Sequence, residues 1–188
     1  MTRFAADSSV AEPSGAALRA VGEVVAAMAV APSLEATLQG LVRAARTLAS
    51  CRYAAVGVPD GSGGFSHFIT AGMSDELIAA IGRLPRTHGL LSAMLERPQP
   101  HRTSDISKDP RYVPAPQPID VSSELSVPIV LGHEVFGVIN IEGGRSFEDE
   151  DVSSIQVIAD HLAVAIKNAE LFDESREAAV MRERARLA

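Results

Sequence analysis

The chain has 188 residues, 46% of them hydrophobic but only 4% aromatic and none Trp, so a single ordinary domain must build its core from Ala, Val, Leu and Ile. A formal charge of -7 excludes the clustered Lys and Arg of a nucleic-acid surface. One cysteine, Cys51, excludes an internal disulfide and a thiolate zinc cluster, and it suits a reducing cytoplasm. No window reaches the ~18 consecutive apolar residues of a membrane span, and no signal-peptide pattern opens the chain, so a soluble cytoplasmic protein is expected.

Residues 1–13, "MTRFAADSSVAEP", have the composition of a disordered lead. Over 14–31 a helix pattern follows, with Leu18, Val21, Val25 and Met28 spaced three or four apart before Ala31-Pro32 ends it. Ser33 then reads as the N-cap of a helix whose Leu34, Leu38, Leu41, Val42, Ala45 and Leu48 form one broad apolar face. "RYAAVGV" and "FSHFITA" read as two strands joined by the turn "PDGSGG".

Gly72 breaks the second strand, and Ser74 caps the short helix "DELIAAIGRL". A further short helix is predicted over 87–98. The stretch "HRTSDISKDPRYVPAPQPIDVSS" reads as a long loop with one turn at "SKDPR", and loops of such length are commonly functional. "SVPIVLGHEVFGVINIEGG" then reads as a hairpin turning at Gly132-His133, with almost no charge on either face. Phe147 and the acids from Glu148 to Asp151 start the last helix, whose Val152, Ile155, Ala159, Leu162, Ile166 and Ala169 share one face. On another face Val157, Val164, Leu171, Ala178 and Ala185 recur every seven residues.

These elements predict an α/β (α+β) fold: an antiparallel sheet with long N- and C-terminal helices on one face and a short-helix and loop cap over the other. The five histidines show no spacing that would place two imidazoles on one metal, and no nucleophile elbow or phosphate-binding loop is present. No catalytic constellation is found, so the chain is read as a non-enzyme.

The C-terminal third, "SSELSVPIVLGHEVFGVINIEGGRSFEDEDVSSIQVIADHLAVAIKNAEL", together with "DISKDPRY", resembles the GAF domain family over about Ser33 to Leu171. Through "RYAAVGV", "SDELIAAIGRLPRTHGLLSAMLERPQP" and "DISKDP" it is similar to the input GAF domains of actinobacterial two-component sensor histidine kinases. The resemblance implies a disordered lead at 1–13, an N-terminal helix at 14–31 and a GAF domain at 32–171. It further implies a signalling helix at 172–188 that points towards a kinase output domain absent from this chain.

On that reading a small neutral or weakly polar molecule of unknown identity binds under the cap, against Phe68, Ile81, Leu84, Leu91, Met94, Tyr112 and Val113, with His88, His101 and Ser123 as polar contacts. A homodimer through the N- and C-terminal helices is implied, with no nucleic acid and no membrane among the partners. Relatives that hold haem use a His in the loop before the Val-Pro strand, and "VPAPQPIDVSS" has none, which argues against haem. Of the cyclic-nucleotide pattern only Asn140, Phe147 and Asp151 match, with Ile141 and Val152 in place of its Lys and Glu. The alternatives are a ligand-free dimerisation relay and a haem-based gas or redox sensor.

Overall fold

The computed structural model describes residues 33–81, 97–110 and 120–186, together with Gly15 and Gly22. Helix α1 (Leu34–Leu48) begins where Ser33, in extended backbone, accepts the N–H of Ala36 on its Oγ at 3.2 Å. Leu38, Leu41, Val42 and Ala45 recur at helical spacing and are completely buried. Strands β1 (Tyr53–Pro59) and β2 (Phe65–Ala71) follow, joined by a turn in which Asp60 Oδ1 accepts from the N–H groups of Ser62 and Gly64 at 2.7 and 3.0 Å. Helix α2 (Asp75–Ile81) is capped by Ser74, as its sequence predicts.

The long loop holds an element that the sequence reading missed. His101–Thr103 forms strand β3 on the edge of β4 (Ser123–Leu131), followed by a single 3-10 turn at Ile106–Lys108 near the predicted place. Three residues are too few to display a period, so only the partner strand reveals β3. Strand β5 (Glu134–Gly143) returns from the Gly132-His133 turn, and helix α3 (Asp149–Arg186) closes the fold with acids in its first turn.

The sheet order is β2-β1-β5-β4-β3, and every neighbouring pair is antiparallel. Helix α1 packs on β1 and β2, α3 packs on β4 and β5, and the two helices touch. Between sheet and helices lie Val56, Leu125, Val127, Ile129, Ile139, Ile141, Ile155, Ile158 and Leu162, all fully buried. Each such side chain contributes roughly 1.5–3 kcal/mol of burial. Helices on one face and an antiparallel sheet are thus as predicted. Apart from Gly15 and Gly22, the predicted helix at 14–31 lies outside the described residues, as do the cap segments at 82–96 and 111–119 and nearly all of the helix predicted over 87–98.

The hairpin contains one irregularity that sets everything on its far face. Next to the turn Leu131 pairs with Glu134 and Val130 with Val135, but beyond the bulge Ile129 pairs with Gly137, so Phe136 is an extra residue in β5. That insertion shifts the register by one. Leu125 therefore meets Ile141 and Val127 meets Ile139 on the helix side, while Glu124 meets Glu142 and Ser126 meets Asn140 on the other.

Candidate functional site

Alternation along the strands assigns one set of residues to the face away from the helices. Phe68 and Thr70 of β2, Tyr53, Ala55 and Gly57 of β1, Val138, Asn140 and Glu142 of β5, Glu124 and Ser126 of β4, and His101 and Thr103 of β3 share it by register. This corrects the expectation of a hairpin without charge on either face. One face is aliphatic, and the other carries a polar strip down its centre.

The strip is a hydrogen-bonded ladder. Ser126 Oγ lies 2.7 Å from Glu124 Oε1 and 2.5 Å from Asn140 Oδ1, and Asn140 Nδ2 donates to Glu142 Oε1 at 3.1 Å. A hydroxyl has one proton to donate, so Ser126 serves one of these two oxygens at a time. Glu124 is 3% exposed and Ser126 fully buried, an expensive environment for carboxylates. Burial pushes the Glu142 carboxyl above its ordinary range, only partly offset by the Asn140 donor.

On the β1–β2 side the same face turns aromatic. The Phe65 and Phe68 ring centroids are 5.5 Å apart, and Phe65 lies so close over Gly57 that a Cβ there would stand 2.6 Å from its ring. On the β3 side His101 Nε2 pairs with Asp109 Oδ2 at 3.0 Å, with the Asp109 side chain only 6% exposed. Asp105 caps the intervening turn by accepting from Ser107 N–H at 3.2 Å, and Ile106 N–H donates to Ser122 O at 2.7 Å. The face therefore runs from an aromatic end through a polar centre to a His–Asp edge.

Of the site residues predicted from sequence, Phe68 and His101 lie on this face, at its two ends. Ser123 does not. It shares the parity of Leu125, and its buried hydroxyl reaches the carbonyl oxygens of Gly143 at 2.9 Å and of Arg145, so it ties the sheet edge to the loop before α3. Ile81 closes α2, and its side chain lies outside the described residues, as do Leu84, His88, Leu91, Met94, Tyr112 and Val113. The sequence reading missed Glu124, Ser126, Asn140 and Glu142. Their signal was the two i, i+2 polar pairs, E-x-S and N-x-E, placed at either side of one hairpin.

At the helix-side end, two arginines hold the start of α3. Arg145 binds Asp151 with both guanidinium nitrogens at 2.8 and 2.6 Å and donates to the carbonyl of Ala49 at 2.7 Å. Arg102 of β3 meets Asp149 at 2.7 Å. Burial raises the Asp151 pKa, but the hydrogen bonds from Arg145 and from Glu148 N–H outweigh it and leave the carboxyl below its ordinary value. Among the described residues no group of His, Cys, Asp and Glu is arranged to hold a metal ion, and no helix is long and apolar enough to cross a membrane.

Known structures share this fold. The GAF domain of a phosphoenolpyruvate-protein phosphotransferase from Coxiella burnetii superposes with a TM-score of 0.74 at 23% identity, over 86% of this chain and 99% of that one. A GAF domain/HD domain protein from Geobacter sulfurreducens gives 0.64 at 21% identity, over 75% of this chain and 97% of that one. Free methionine-R-sulfoxide reductase from Neisseria meningitidis, in complex with its substrate, gives 0.65 at 16% identity, over 89% of this chain and 96% of that one. At these identities the likeness is one of fold. Residues 31–167 also match the GAF domain pattern itself, and on that match the chain belongs to the GAF domain family.

Proposed function

We propose that this chain is the regulatory sensor module of a two-component, histidine-kinase-like signalling protein working in the cytoplasm. It binds a small molecule on the face away from the helices and dimerises through its flanking helices. The observation that carries the reading is the ladder from buried Glu124 and Ser126 to half-buried Asn140 and Glu142. A sheet face meant only for packing would be aliphatic, like the opposite face of the same strands, whereas buried polar groups are costly and are retained where they specify something. The two carboxyl groups of the ladder favour a ligand that presents hydrogen-bond donors, and the Phe65–Phe68 end favours one with an apolar part. This modifies the expectation of a neutral ligand, which counted the basic residues of the cap and not the acids beneath it.

Dimerisation is supported by Val164 and Leu171, about half exposed on the heptad face of α3 that turns away from the sheet. The test is native mass spectrometry of the purified protein combined with a thermal-shift panel of amines, amino acids, nucleotides and carboxylic acids. Dimer mass, and stabilisation by donor-bearing compounds that is lost in Asn140→Leu, are expected. A monomer that retains nothing, and that no compound stabilises, would overturn the reading and leave a ligand-free relay.

A further inference from the structure

Helix α3 outruns the domain. Ile166, 2% exposed, is its last buried residue, and Lys167 bonds Glu134 at 3.0 Å, beside the turn where β5 begins. From Glu170 to Arg186 every residue is exposed. Helices α1 and α3 each connect by a short loop to one of the adjacent antiparallel strands β1 and β5, so they run in opposite directions. The Arg145 guanidinium joins Ala49, at the end of α1, to Asp151, at the start of α3. Fifteen residues later α3 reaches Ile166, which is level with Leu34, the first residue of α1. The chain that enters α1 therefore arrives at the place where α3 leaves the sheet.

The overhang has two distinct sides. Ile155, Leu162 and Ile166 pack on the sheet, and Asp173, Val180 and Arg184 continue the same line at spacings of seven, seven and four, all within about 40° around the helix. A groove on this continuing side is lined by Asp173, Arg176, Glu177, Val180, Met181 and Arg184. Val180 is 47% and Met181 67% exposed, although within the domain this line of α3 is covered by the sheet and α1. Val164, Leu171 and Ala178 occupy the opposite side.

We infer that the occupant of this groove is the chain's own segment 14–31, laid antiparallel along α3 as an upstream continuation of the α1 layer. As a helix that segment spans about 27 Å, and residues 168–186 of α3 span about 28 Å. Its two described positions, Gly15 and Gly22, are helical. Its apolar residues Leu18, Val21, Val25 and Met28 form one stripe, and the antiparallel alignment brings Leu18 and Val21 level with Val180 and Met181. The opposite side of α3 is thereby left to a second copy, so the two surfaces do not compete.

Disulfide formation distinguishes the possible occupants. Cys51 stays out of the exchange because it is buried and burial pushes its thiol up to about 11. The full chain carrying Val21→Cys and Val180→Cys is expected to oxidise to a disulfide at monomer mass, while Val21→Cys with Leu171→Cys is not. Bridging at dimer mass would show that another copy supplies the segment, and no bridging, or equal bridging in both pairs, would equally overturn the proposal. Should the cysteine variants misfold, amide exchange provides a second reading on native sequence. Removing residues 1–31 should speed exchange over 172–186 by about tenfold or more, and unchanged exchange would refute the inference.

Discussion

The register that assembles the polar ladder depends on Gly137, and Gly137→Ala tests that dependence directly. Gly137 has φ 155°, and a Cβ added there would overlap the carbonyl oxygen of Gly57, with the Gly57 carbonyl carbon at 3.1 Å and Val58 Cα at 3.3 Å. Ordinary contact between such atoms needs about 3.5 Å. The obstructing atoms are backbone of β1, the strand paired with β5 at the centre of the sheet, so no side-chain rotation relieves the overlap. Overpacking of this kind costs about 1–3 kcal/mol and the strained backbone about 1–3 more, giving an expected loss of roughly 2–6 kcal/mol. Gly132→Ala is the internal control. It too has positive φ, 65°, but open space around the missing Cβ, so only the backbone penalty of about 1–2 kcal/mol applies. Urea unfolding followed by circular dichroism measures both, the midpoint shift being interpretable where the slope is unchanged. A Gly137→Ala protein within about 1 kcal/mol of wild type, or one no worse than Gly132→Ala, would refute the close-approach argument.

The acids make two further predictions. Burial holds the folded pKa of Glu142 above its ordinary 4.5, so its contribution is favourable below that value and is lost as pH rises through the folded pKa. Glu142→Gln should therefore be more stable than wild type at pH 7, with the gain vanishing near pH 4. A variant that is less stable at neutral pH would contradict the burial argument. Asp151 has the opposite sign: its depressed pKa contributes stability above the ordinary 3.8 that is lost as pH falls through the lower folded value. Arg145→Ala should cost about 1–2 kcal/mol at pH 7, discounted for the partial exposure of Arg145, and the difference from wild type should shrink below about pH 4 in thermal melts. A pH-independent difference would mean that Arg145 acts through the carbonyls of Ala49 and Ser146 and the Phe147 ring rather than through Asp151.

Much of this protein was written locally. The cap at Ser33, the apolar face from Leu38 to Ala45, the Asp60 turn, the Ser74 cap and the Gly132-His133 hairpin each follow from a few adjacent residues, because capping, helical spacing and turn chemistry act within one or two turns of chain. The α+β class followed from the order of those pieces, and the family from the resemblance carried by the C-terminal third and "DISKDPRY". Strand β3 needed β4 to exist, since three residues carry no period of their own. Ser123 was read as a polar contact at the end of the cap segment, yet in a strand adjacent side chains point to opposite faces, and the position on the polar face belongs to its neighbour Glu124. Most decisive is the extra residue at Phe136. With the register of the turn carried straight along the hairpin, Glu124 would face Ile141 and Ser126 would face Ile139. One inserted residue instead pairs acid with acid and serine with asparagine. Local propensities are nearly indifferent to a one-residue slip, but the aliphatic layer under α1 and α3 is not, because only the bulged register buries Leu125, Val127, Ile139 and Ile141 together.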